Sequence, residues 1–493
     1  MTTITNGGWG RRVVAAVGAV TIAMIGAVAL AAPASATETP NGPNIDPKAK
    51  GSVTIHKYAE PDEATGLPHD GTKLTEEQLK NLTPLKGVTF SIAQVDGIDL
   101  TTNAGWTTAA TLMVSADGVV TGGSTTYPTT VVTSGPTDAA GIVGFPNLPL
   151  GVYVVSEVDA GANPIAISTP PFLVTVPLAT QKNTWLYDVN VYPKNSLTGV
   201  TKTVDDAKAT GLGSEISWNV AAQVPNVGEG RSLNRFEIVD TLDARLGYAG
   251  ASVAVTDRTG APVTLPDGSF TVTAPATGAA GDLKVVFTPA GLAVLQEKAL
   301  GGTVTATVKT TVKEIGDGSI ENTVTLYVND AKVISQDVTY WGALKVFKYA
   351  QSGEVKTGLK DAEFQVFTSE ADAIARTSPV SVNGKTTFVS DASGNLTVDG
   401  LFAGVKGAGK DYWLVETKAP VGYTADTTPI KVTVKPGSIE KAEVVKVLNT
   451  QVPPPILPLT GGDGAVMFGI AGAALVLIAA GAAVVIARRR VRA

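Results

Sequence analysis

The sequence predicts an all-β protein of three tandem Ig-like β-sandwiches in an elongated chain. Three observations carry this. The stretch between the two ends is rich in Thr, Val and Gly, in short alternating runs broken by Gly, Pro, Asn and Asp. That is the pattern of half-buried strands joined by tight turns. Helical periodicity is scarce, and only residues 76–81 and 289–298 read as short helices. About 416 residues separate Ala36 from the run Pro453-Pro454-Pro455, room for two to four domains.

The ends read differently from the middle. Arg11 and Arg12 precede an uncharged apolar run over residues 13–31, and Ala34-Ser35-Ala36 is a small-residue cleavage site. This is the layout of an export signal cut after Ala36. An uncleaved membrane anchor is the alternative, and the residues after the arginine pair do not support the twin-arginine route. At the other end, Leu457-Pro458-Leu459-Thr460-Gly461 fits the pattern L-P-x-T-G. An uncharged stretch over residues 465–487 follows, long enough to cross a bilayer as a helix. Arg488, Arg489, Arg490 and Arg492 then close the chain, and basic residues stay on the cytoplasmic side. The mature chain is therefore expected outside the membrane.

Extracytoplasmic proteins often use disulfides for covalent support, but this sequence has no cysteine. Any covalent cross-link must use other chemistry. With two histidines and no cysteine, no structural zinc site is expected, nor any other metal or cofactor. The net charge of -6 and the lack of a basic stripe argue against nucleic acid as a partner.

The chain repeats itself. Gly51-Ser52-Val53-Thr54-Ile55-His56-Lys57-Tyr58 matches Gly342-Ala343-Leu344-Lys345-Val346-Phe347-Lys348-Tyr349. Val88-Thr89-Phe90-Ser91-Ile92 matches Ala362-Glu363-Phe364-Gln365-Val366, and Tyr153-Val154-Val155-Ser156-Glu157 matches Tyr412-Trp413-Leu414-Val415-Glu416. Two domains thus share one plan, with a different unit between them. The expected divisions are 1–36 (signal), 37–196, 197–341, 342–452 and 453–493 (C-terminal signal).

Strand alternation puts charge in the core, because residues i, i+2 and i+4 share a face. Leu344, Val346 and Lys348 share one, as do Val53, Ile55 and Lys57, and Val200, Lys202 and Val204. Asparagine does the same in the last strands: Val445, Val447 and Asn449; Val189, Val191 and Asn195; Ile320, Asn322, Val324 and Leu326. An acid completes each set, with Glu416 beside Tyr412 and Leu414, Glu157 beside Tyr153 and Val155, and Asp240 beside Phe236, Ile238 and Leu242. A buried ammonium favours losing its proton and a buried carboxyl favours keeping one. Such a trio is either a hydrogen-bonded ion-pair network or a reactive one. In the second case the neutral amine attacks the asparagine carbonyl and expels ammonia, with proximity supplying the rate and the acid shuttling protons.

At this point the residues resemble a known family. Tyr412-x-Leu414-x-Glu416-Thr417-x-Ala419-Pro420-x-Gly422-Tyr423 resembles the E-box of Cna-B-type pilin domains. The middle unit, with Ile238-x-Asp240 and Asn322-Thr323, resembles a Cna-A-like pilin domain. The resemblance covers nearly the whole mature chain and implies sortase-assembled Gram-positive backbone pilins. It implies isopeptide bonds Lys348–Asn449 through Glu416 and Lys202–Asn322 through Asp240. A third, Lys57–Asn195 through Glu157, departs from the pattern, because Val158 and Asp159 stand where the E-box has Thr-x-Ala-Pro.

Val191-Tyr192-Pro193-Lys194 resembles the pilin motif. By parity Lys194 shares a face with Asp188, Asn190 and Tyr192, opposite Asn195, and so is expected to face solvent. His56 is likewise expected on an outer face. The resemblance implies that a sortase cuts between Thr460 and Gly461 and passes the threonyl group to Lys194 of another subunit. It implies as partners a class C-type pilin sortase, a housekeeping sortase, identical subunits head to tail, tip and base pilins, and peptidoglycan. A monomeric wall-anchored adhesin is the competing reading. A wall-anchored enzyme lacks support, since His56 and His69 fall in no triad or metal spacing.

Overall fold

The computed structural model describes residues 44–62, 65–228 and 230–454. The expected export signal, the pentapeptide Leu457–Gly461 and the expected membrane span lie outside the described residues. Among the described residues no helix is long and apolar enough to cross a membrane.

The chain is all-β, in successive two-sheet units. In the first unit, Gly51–His56 runs parallel to Asp188–Val191 and antiparallel to Ile142–Leu148. The facing sheet has the order Phe172–Val176, Gly151–Asp159, Thr89–Val95, Thr129–Pro136. Their inner faces meet over Val53, Ile55, Phe90, Ile92, Tyr153 and Val155. The last unit repeats this topology. Its first strand runs parallel to Val444–Leu448 and antiparallel to Asn395–Phe402. Its facing sheet has the order Ile430–Val434, Lys410–Lys418, Glu363–Phe367, Phe388–Val389. The internal repeat in the sequence is therefore a repeat of strand pairing.

In the middle unit, Val200–Asp205, Glu215–Gln223, Thr303–Val312 and Leu246–Thr256 form one sheet. Phe270–Thr273, Gly281–Phe287, Phe236–Leu242 and Ser319–Val328 form the other with the strand that follows. The run Thr303–Val312 shows the governing pattern: Val304, Ala306 and Val308 are buried while Thr303, Thr305 and Thr307 lie on the other face. β-branched residues suit both faces of such a strand.

The junctions differ. Ala331–Ser352 is one 22-residue strand that closes the middle unit and opens the last, so the expected 341/342 division falls inside it. One hydrophobic core runs through both units, from Trp218 and Phe236 to Phe364 and Tyr412. The Tyr412 hydroxyl lies 2.9 Å from the carbonyls of both Thr210 and Phe402, and Lys410 Nζ donates to Ala209 O at 2.8 Å. Gly400, at φ +99°, leaves room for Leu212, which a Cβ there would approach to 2.1 Å. The first unit keeps its own core, but Ala166, with Ile167 beside it, packs into the core of the next, and polar contacts surround that junction. Glu60 pairs with Arg231, Asn226 donates to Asp62, and Arg258 donates to the Asp62 carbonyl.

The helix Pro289–Lys298 forms as expected, with Thr288 as N-cap and Pro289 in the first turn. The expected helix at 76–81 is shorter, Glu76–Leu79, closed at its start by a Thr75/Gln78 capping box. Asn103–Ala109 and Glu370–Ala375 are two further short helices with no clear period in the sequence.

Candidate functional site

Three lysines are buried, one in each unit. In the last unit, Lys348 is fully buried at the point where its strand pairs with Val447. Asn449 follows two residues later on the same face. Lys348 Nζ donates to Asn449 Oδ1 and lies 3.1 Å from Glu416 Oε2. Asn449 Nδ2 donates to Glu416 Oε1 at 2.8 Å, and the Asp426 amide donates to Glu416 Oε2 at 3.2 Å. The three side chains form a closed ring of contacts. Burial lowers the Lys348 pKa against the opposing pull of Glu416.

The first unit holds the same ring. Lys57 Nζ lies 2.5 Å from Asn195 Oδ1 and 3.0 Å from Glu157 Oε2, the latter an ion pair without hydrogen-bond alignment. Asn195 Nδ2 donates to Glu157 Oε1 at 2.6 Å. Burial pushes the Lys57 amine down to about 8, against the raising effect of Glu157. Thr169 joins this ring: its amide donates to Asn195 Oδ1 at 2.7 Å, and its hydroxyl accepts from Lys57 Nζ at 2.7 Å.

The middle unit is arranged differently. Lys202 Nζ pairs with Asp240 Oδ2, with both side chains buried. Asn322 is buried on the neighbouring strand, where Asp240 stands opposite Val324. Neither polar atom of its amide has a hydrogen-bond partner, and Asp240 Oδ1 has none. Leaving such atoms unpaired in a core costs about 1–3 kcal/mol each. Burial raises the Asp240 carboxyl and lowers the Lys202 amine, each opposed by the other's charge.

An aromatic ring underlies every lysine: Phe90 at 5.5 Å from Lys57 Nζ, Trp218 at 5.4 Å from Lys202 and Phe364 at 5.7 Å from Lys348. In both outer units this phenylalanine stands directly across the sheet from the acid, Phe90 opposite Glu157 and Phe364 opposite Glu416. The matching Phe90 and Phe364 of the repeat were a readable signal for this. Thr169, in a non-periodic Ser-Thr-Pro-Pro stretch, had none.

Lys194 opens the strand Lys194–Leu197, which pairs with Tyr58-Ala59. It is half-buried rather than fully solvent-facing, at the edge of an apolar groove lined by Leu74, Phe172, Leu178, Val191 and Tyr192. No ion pair or hydrogen bond holds its ammonium among the described residues. His56 is not on an open face: it is 3% exposed, stacked on Tyr192 at 4.7 Å, with Nε2 3.0 Å from Asn190 Oδ1. The reason is a covering loop. The Leu74 amide donates to the Tyr192 hydroxyl, and the Asn190 amide donates to the Gly71 carbonyl. Leu457, Pro458, Leu459, Thr460 and Gly461 lie outside the described residues. Among those described, no cluster of three or more His, Asp or Glu side chains could hold a metal.

Comparison with known proteins identifies the family. Family models match in series along the chain: the Gram-positive pilin subunit D1, N-terminal domain over residues 48–196, the cell surface antigen I/II C2 terminal domain over 193–339, and a prealbumin-like fold domain over 342–447. The fimbrial subunit type 2 of Actinomyces naeslundii is 33% identical, covering 98% of this chain and 97% of that protein. The fimbrial subunit type 1 of Actinomyces viscosus is 31% identical over 94% of this chain and 96% of its own. The full-length major pilin SpaD from Corynebacterium diphtheriae superposes with a TM-score of 0.67 at 27% identity, over 84% of this chain and all of that one. The chain belongs to the fimbrial subunits of Gram-positive bacteria, as a backbone pilin. Its place is the cell surface, in a fimbria.

Proposed function

We propose that this pilin is polymerised through a bond between Thr460 of one subunit and Lys194 of the next, and hardened by self-formed Lys–Asn bonds within each subunit. The observation that carries the reading is the contact ring of amine, amide and carboxyl in both outer units. The amines of Lys57 and Lys348 lie against the side-chain oxygens of Asn195 and Asn449, and a carboxylate bridges each pair. In each, the neutral Nζ attacks the asparagine Cγ, and the carboxyl carries a proton from the amine to the departing nitrogen. One C–N bond forms, one breaks, and ammonia leaves. Lys202, Asp240 and Asn322 run the same exchange in the middle unit, which removes a charge and pairs the orphaned amide.

Between subunits, a pilin sortase cuts Thr460–Gly461 and holds the threonyl group as a thioester. The Lys194 amine attacks it and frees the enzyme's thiol. Lys194 ends the first unit and Thr460 follows the last, so the joint is head to tail and propagates as a fibre. A housekeeping sortase then attaches the finished polymer to peptidoglycan. The units are assigned to 37–196, 197–341 and 342–452, and the fibre supports adhesion. Co-expression with a pilin sortase tests this. Wild type should give a ladder of high-mass species on denaturing gels. Lys194→Ala should give folded, secreted monomer and no ladder. An unchanged ladder would mean that Lys194 is not the acceptor.

A further inference from the structure

The first-unit ring has a neighbour that the other two lack. Arg231 comes from a loop of the middle unit and reaches across the junction. Its Nη2 pairs with Glu60 Oε2, and its Nη1 donates to the Lys194 carbonyl at 3.2 Å. The Glu60 amide in turn donates to the Asn195 carbonyl at 2.7 Å. The joined Arg231 and Glu60 therefore grip the two successive carbonyls that flank Asn195 Cα. The grip is sheltered, with side chains 17% and 18% exposed. Gln296, on the helix Pro289–Lys298, anchors the loop by accepting from the Leu233 amide at 2.9 Å. Arg231 and Glu157 line one cleft between the units. In the last unit, Glu416 takes its extra donor from within the unit, the Asp426 amide. Glu157, in a degraded E-box, has no counterpart among the described residues.

We propose that Arg231 is a positioning residue for the Lys57–Asn195 bond, so that this bond forms faster when the middle unit is docked on the first. This rests on the reading of Lys57, Glu157 and Asn195 as a cross-linking trio. Two effects combine. A planar guanidinium holding one carboxylate oxygen and one carbonyl fixes the backbone from which Asn195 presents its Cγ to Lys57. Its positive charge also disfavours the ammonium form of Lys57, on which Glu157, Glu60 and Arg231 all act. The reaction itself is unchanged: Lys57 Nζ bonds to Asn195 Cγ and ammonia leaves.

The test uses the mature chain, made without sortase, with peptide mapping of all three bonds over time and across pH. Arg231→Ala should slow the Lys57–Asn195 bond at least severalfold and move its rate–pH profile to higher pH, because the missing cation lets Lys57 keep its proton longer. Arg231→Lys should rescue the pH profile more than the rate, since it keeps the charge and loses the fork. Gly228→Ala should slow the bond without deleting any charge, because its new Cβ would stand 2.2 Å from Arg231 Nη2 and push the guanidinium aside. The other two bonds should form as in wild type in every variant. A wild-type rate with an unshifted pH profile in Arg231→Ala would overturn the assignment. Absence of the bond from wild type at every pH would overturn the first-unit trio itself, and the role of Arg231 with it.

Discussion

Glu416→Gln separates the cross-link from the packing around it. Glutamine keeps the shape of the side chain and can still accept from Asn449 Nδ2, but it cannot carry a proton between amine and amide. The variant should therefore fold with its core filled and its bond unmade. Lys348 and Asn449 are 101 residues apart in sequence. Cross-linking a loop of about 100 residues stabilises by about 4.7 kcal/mol in the chain-entropy picture, taking the disulfide as analogue. Because the last unit shares its core with the middle one, the two melt together as about 250 residues, and that loss lowers the melting temperature by roughly 10–20 °C. The assay is intact mass together with calorimetry on the same sample. Beyond the change made by the substitution itself, the mass should rise by one retained ammonia, and the shared transition of the middle and last units should fall by that margin. An unchanged mass would refute the role of Glu416. A lost bond with no loss of stability would refute the claim that the bond hardens the unit.

Two further outcomes follow from the other units. Asp240→Asn should retain a second ammonia, mapped to Lys202 and Asn322, and leave the two outer bonds intact; a middle bond that still forms would remove Asp240 from the chemistry. With Asn195→Ala the first-unit bond cannot form, and Lys57 stays titratable. Unfolded, that lysine holds its proton up to its ordinary value of 10.5, and folded it releases it near 8. The unfolded chain then binds more protons between these limits, so stability of the variant should rise as pH goes from 8 to 10.5. A fall or a flat profile, read by denaturant titration of the first unit, would contradict the burial of Lys57.

The buried lysines were legible because a strand has a side-chain period of two. Lys57 and Lys202 continue the inward faces of Val53 and Ile55, and of Val200 and Val204, and no other inward placement was open to them. The same parity put Asn322 among Ile320, Val324 and Leu326, all four buried. Parity does not say what lies over the opposite face. Lys194 was expected to face solvent and His56 to lie on an outer face, yet a loop more than a hundred residues from the pilin motif in sequence, carrying Gly71 and Leu74, covers that side. The repeated pattern begins at residue 342, but the backbone stays extended through it, because the strand Ala331–Ser352 finds partners in both units in turn. Arg231 carried no signal, since its partners Glu60 and Lys194 belong to another unit and meet it only once the junction is formed.

The most direct measurement is the intact mass of residues 37–455, purified without any sortase. The account predicts a mass lower than the sequence sum by at least two molecules of ammonia, with peptide mapping joining Lys348 to Asn449 and Lys202 to Asn322. A mass equal to the unlinked sum would contradict it and leave the three trios as buried ion-pair networks.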